Sequence, residues 1–144
     1  MTLVELLVVM GIIGLMVGLS VPALSRYAAH MRLTAATRQV TGLVSFARSM
    51  AIGSHEEQAV VVDPERGRIS VVTVSSGQTF ERMVHLPSSV SVEILVAGQP
   101  ATETQLVFRP TGSLIGRTVS LVLADHRTQH TITVTGTTGA VSVQ

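Results

Sequence analysis

One carboxylate, Glu5, stands directly ahead of twenty consecutive residues without a formal charge, Leu6 to Ser25, and Arg26 closes that run. An ionised acid at the edge of hydrocarbon is costly, so it either finds a cation or stays among lipid headgroups. Other chemistry-bearing residues are sparse. His126 and His130 are four apart, but across a predicted strand and turn that spacing does not converge on a metal as it would on a helix. His30, His55 and His85 are scattered. The only two aspartates, Asp63 and Asp125, form no Asp-rich loop for calcium. No serine, histidine and acid arrangement emerges, and the chain has no cysteine, which excludes a disulfide framework, thiol catalysis and cysteine-ligated zinc. Neither catalysis, a metal nor a cofactor is expected. Arg66 and Arg68 in a predicted hairpin, with Arg109 and Arg117, are a candidate patch for nucleic-acid phosphates, which needs several arginines to converge. Against it, no arginine follows Arg127, and a net charge of +1 supplies no attracting field.

Glu5 and the uncharged run must be carried by a helix. At about 1.5 Å per residue the run is roughly 30 Å long, the thickness of a bilayer's hydrocarbon. It lacks the basic start, short apolar core and cleavage site of a secretory signal peptide. Beyond it, Leu33, Ala36, Val40, Leu43, Ala47 and Met50 recur every three or four residues and form one apolar stripe. One helix of about fifty residues ending near Gly53 is predicted. Gly11, Gly14 and Gly18 share a face on which another helix could approach closely, although glycine is also common in membrane helices without such a role. Pro22 removes one helical hydrogen bond, so a kink or a loosened stretch is expected there.

After Gly53 short β-branched runs alternate with turn residues. Strands are predicted at 58–62, 68–74, 80–86, 90–96, 105–109, 118–124, 131–135 and 140–143. Asp63-Pro64-Glu65-Arg66-Gly67 reads as the turn of the first hairpin, and Gly98-Gln99-Pro100 as a later turn. Eight strands suggest an antiparallel sandwich or strongly bent sheet packed on the second half of the helix. The expected organisation is a membrane anchor over 1–26, an amphipathic half-helix over 27–53 and an antiparallel β domain over 54–144, an α+β chain. All ten basic residues are arginine, which reads mainly as the composition of a GC-rich genome.

The opening Thr2-Leu3-Val4-Glu5-Leu6-Leu7-Val8-Val9, with Pro22 seventeen residues after Glu5, resembles the mature N-terminus of type IV pilins and type II secretion pseudopilins. In that class a prepilin peptidase cuts after a glycine and the new first residue, usually Phe, is N-methylated. The resemblance therefore assigns processing and methylation to Met1, a departure in side chain but not in register. The remainder is similar to the minor pseudopilin H group and related type IV pilus minor pilins. This similarity rests on Leu43-Val44-Ser45-Phe46-Ala47-Arg48-Ser49-Met50-Ala51-Ile52, on Val107-Phe108-Arg109-Pro110-Thr111-Gly112-Ser113, and on Thr133-Val134-Thr135-Gly136-Thr137-Thr138-Gly139-Ala140-Val141.

What the resemblance implies is a structural subunit with a pilin-like fold. Its partners would be other pilin or pseudopilin subunits, the prepilin peptidase, an inner-membrane assembly platform and membrane lipid before assembly. In staggered parallel helices, Glu5 of one subunit would neutralise the α-amino group of another. The globular domain would be periplasmic. Arg26, Arg32 and Arg38 follow the anchor with no basic residue before it, which by the positive-inside rule would put that domain in the cytoplasm. Removal of a basic leader ending in glycine would reconcile the two. The leading function is a minor pseudopilin of a type II secretion system. The alternatives are a minor pilin that binds DNA in transformation, or the main repeating subunit of its own filament.

Overall fold

The computed structural model describes residues 2–77 and 79–144, and for residues 19–26 and Glu81 the backbone alone. Expectations placed on Met1 therefore lie outside the described residues, while at Pro22 and Arg26 the backbone alone is described, helical within one continuous element.

One helix, α1, spans Leu3–Ser54, as the spacing of apolar residues predicts. Its first turn is closed by a reciprocal cap. The Glu5 amide donates to Thr2 Oγ1 at 3.3 Å, and the Thr2 amide donates to Glu5 Oε2 at 3.4 Å. At the other end it passes Gly53, and the left-handed residue is His55, with φ of 56°. Along its second half Leu33, Ala36, Val40, Leu43 and Ala47 are buried as the stripe requires. Val44 and Ala51 join them, while Met50 is only half-buried. The chain divides into two units, one ending at Arg32 and the other running Leu33–Gln144.

Among its described residues the second unit holds nine strands: β1 Gln58–Asp63, β2 Arg68–Thr73, β3 Thr79–His85, β4 Ser91–Val96, β5 Gln99–Pro100, β6 Gln105–Phe108, β7 Val119–Ala124, β8 Gln129–Val134 and β9 Val141–Val143. They form two antiparallel sheets, ordered β3-β2-β1-β6 and β5-β4-β7-β8-β9. The sequence reading gave eight strands and took 98–100 for a turn. In fact Ala97 and Gly98, with φ of 52° and 84°, turn the chain, and β5 pairs with the end of β4. Pro100 is tolerated because β5 is an edge strand, where a missing N–H costs no ladder bond.

The first hairpin turn forms as read. Asp63 Oδ1 accepts from the Arg66 amide at 3.1 Å, and Gly67 takes φ of 57°. Burial alternates along β2 and β7, whose inner residues Ile69, Val71, Leu121 and Leu123 meet Phe108, Leu106, Ile132 and the helix stripe in one core. Within it lies a buried polar pair. Thr73 Oγ1 donates to Gln58 Oε1 at 3.1 Å, and Gln58 Nε2 reaches Ser54 Oγ at 3.4 Å, which ties the helix end to β1 and β2.

Candidate assembly interface

The first unit is an apolar rod. From Leu3 to Gly18 every described side chain is exposed, including Leu3, Leu7, Met10, Leu15 and Met16, each at least 64% accessible. A helix apolar all round belongs in lipid or among other helices. Among the described residues no helix is long and apolar enough to cross a membrane. The uncharged run itself continues past Gly18 into residues whose side chains are not described.

Glu5 sits at the tip of the rod, held by the Thr2 cap described above. The cap uses one carboxylate oxygen, Oε2. The Thr-x-x-Glu spacing that produces it was legible in the sequence and was not used there. Gly11, Gly14 and Gly18 have nothing within 4 Å of where a Cβ would be, so this face is open.

The arginines do not form one patch. Arg66 and Arg68 come together around Asp63, with Nη1 of Arg66 at 3.5 Å and Nη2 of Arg68 at 4.0 Å from Oδ2. Arg109 follows Phe108, which pairs with Gln58 at the far end of β1. With about 3.3 Å per residue, the two groups are roughly 17 Å apart. Arg117 lines a cavity of about 550 Å³ with Glu103, Val96 and Ile115.

A tight three-way joint holds the end of the second unit together. Arg48 Nε on α1 donates to the Gly112 carbonyl at 3.1 Å. A Cβ on Gly112 would lie 2.7 Å from Ile52 Cδ1, and one on Gly139 would overlap the Gly112 carbonyl oxygen. The three quoted segments that carry the pilin-like resemblance, 43–52, 107–113 and 133–141, thus meet at one place.

The profile of the family described as Type II transport protein GspH matches residues 36–138. The chain belongs to the GspH family. That match takes in most of the helix stripe and the strands β1 to β8, and it stops one residue short of Gly139. No curated protein sequence matches significantly. Solved structures share the fold. The type IV minor pilin FimU of Pseudomonas aeruginosa aligns with a TM-score of 0.66 at 12% identity, over 82% of this chain and 92% of FimU. The minor pseudopilin EpsH from the type 2 secretion system of Vibrio cholerae aligns with a TM-score of 0.65 at 13% identity, over 78% of this chain and 94% of EpsH. A second EpsH structure gives 0.64 at 14% identity, over 81% of this chain and 94% of that one. The α+β fold of this GspH-family chain is therefore the pilin fold expected from its sequence.

Proposed function

We propose that this chain is a non-catalytic structural subunit of a pilin-like filament, a minor pseudopilin that enters the filament through its N-terminal helix and serves type II transport. Membership of the GspH family supports this, and one observation carries it. The helix from Leu3 to Gly18 is apolar and exposed on every side, with a single acid in its first turn. Such a surface needs a cover. Inner-membrane lipid supplies it before assembly, and neighbouring helices supply it afterwards, with Gly11, Gly14 and Gly18 allowing close approach and Pro22 giving way during extraction.

Glu5 sets register in this scheme. Its cap partly satisfies one oxygen within the subunit, and Oε1 is left to meet the α-amino group of a neighbour. The prepilin peptidase generates and methylates that group at Met1, the assembly platform receives the processed subunit, and the globular domain is periplasmic. A type IV pilus minor pilin is the second reading, favoured by the comparable likeness to FimU. The neighbouring genes, secretion or pilus, discriminate the two.

The test is incorporation of the full chain into filaments. Glu5→Leu and Glu5→Gln are expected to stay in the membrane fraction and to be lost from filaments. Normal incorporation of both would remove the pairing role. A freely soluble monomer would remove the filament reading altogether.

A further inference from the structure

The two sheets end in four strands, β3, β6, β5 and β9. Three of these edges are blunted in the ways that prevent strand addition. β3 meets β2 through a register shift between Ser70 and Val72. The 113–115 segment lies along part of β6, with the Ile115 amide donating to the Val107 carbonyl at 2.7 Å. β5 is only Gln99–Pro100. By contrast β9, Val141-Ser142-Val143, has no charge, proline or register shift.

Its hydrogen bonding leaves one side open. Thr131 and Gln144 bond each other in both directions at 2.9 Å, and the Thr135 amide donates to the Ala140 carbonyl at 2.9 Å. Ala140, Ser142 and Gln144 therefore face β8. In an antiparallel ladder the alternate residues point away, so Val141 and Val143 turn their N–H and C=O groups outward.

Beside this edge lies a groove of about 500 Å³, with Val143 on one side and Thr34, Thr37, Thr41 and Ser45 of α1 on the other. The helix wall is low and largely apolar, because Thr37 and Thr41 return their hydroxyls to the Leu33 and Thr37 carbonyls, each at 2.8 Å. Besides the exposed Ser45 hydroxyl, two polar groups remain in it. Thr34 Oγ1 is buried without a hydrogen-bond partner, and Arg38 lines the groove, exposed and in neither ion pair found among the described residues. Thr34 and Arg38 are four apart and share a helix face, and of the two the exposed Arg38 is the group an incoming carboxylate can meet.

We infer that β9 accepts a further strand, an extended segment of a neighbouring subunit that bears a carboxylate against Arg38. The inference rests on the filament reading for the source of that segment. Backbone bonds to Val141 and Val143 supply the pairing, and the acid supplies selectivity. β9 of a second copy does not fit this role, since 140–144 contains no acid and would leave Arg38 unneutralised.

The experiment compares full-length Val143→Pro, Arg38→Gln and Arg38→Lys for incorporation into filaments, with hydrogen exchange read on free and assembled protein. Proline at 143 removes an outward N–H and no bond of the ladder to β8. Val143→Pro and Arg38→Gln are expected to fall about tenfold in incorporation, the equivalent of one lost hydrogen bond to a charged group. Both should keep wild-type unfolding midpoints, and Arg38→Lys should recover. The Val141 and Val143 amides should exchange slowly only in the assembled state. Wild-type incorporation of a folded Val143→Pro variant, or free exchange at both amides within the filament, would overturn the inference and leave the filament reading intact. Disulfide formation between two Val143→Cys chains would put a second copy at this edge and also overturn it. If the wild-type chain enters no filament at all and is a freely soluble monomer, the filament reading fails first.

Discussion

Gly139 packs so closely on the carbonyl of Gly112 that no side-chain carbon fits between them. Gly139 also holds φ of 63°, a left-handed conformation that glycine adopts without cost. Gly139→Ala is therefore expected to be penalised twice. The conformation alone costs about 1 kcal/mol, and the overlap adds roughly 1–3 kcal/mol more. Gly98→Ala is the control, since Gly98 has φ of 84° but open space around it. Urea unfolding should show a large shift for Gly139→Ala and a small one for Gly98→Ala. Equal shifts would mean that steric closeness contributes nothing.

Arg48 reaches the same carbonyl from the helix, with its Nε 3.1 Å away. Arg48→Met keeps the aliphatic stem and removes the donor. A loss of about 1.5–3 kcal/mol is expected, the range for a hydrogen bond from a charged group. Arg48→Lys should not restore it fully, because the bond comes from a nitrogen fixed within the planar guanidinium. An unchanged denaturant midpoint in Arg48→Met would assign the joint to glycine packing alone.

Gln58 and Thr73 are buried to 1% and 4% exposure and bond each other across β1 and β2. Thr73→Val leaves the Gln58 carbonyl without that donor and should cost about 1–3 kcal/mol. Adding Gln58→Leu removes the stranded group, so the double variant should be more stable than Thr73→Val alone. A double-mutant cycle by thermal unfolding reads the coupling directly.

Because Arg66 and Arg68 share Asp63, whose carboxylate offsets part of their charge, fewer phosphates are neutralised than four free arginines would allow. Any binding to duplex DNA should have a salt slope near −2, about two phosphates, rather than the nearly −4 of four converging arginines. A salt titration of binding decides it. A slope near −4, lost on replacing all four arginines, would return nucleic acid to the list of partners.

Local patterns in the sequence carried much of the fold. The spacing of Leu33, Ala36, Val40, Leu43 and Ala47 located the buried face of α1, and Asp63-Pro64 with Gly67 located a turn whose chemistry is contained in five residues. β5 escaped notice because Gly98 and Pro100 are turn residues by type, and because Ala97 takes a positive φ that its side chain does not advertise. The pairing of β1 with β6 was beyond local reading, since nothing at Gln58 points to Phe108. For the same reason Gly112 and Gly139 could be recognised as motif residues but not as neighbours. On the assembly surface Glu5 was plain from charge alone. Its tie to Thr2 was equally readable, from a spacing with a known physical purpose.

The helix ends at Ser54 and leads almost at once into β1, which lies between β2 and β6 rather than at the margin of its sheet. Tension arriving along the helix thus meets first the buried stripe from Leu33 to Ala51 and then a strand gripped on both flanks. A subunit drawn by its stem from lipid into a filament would keep its head folded under load.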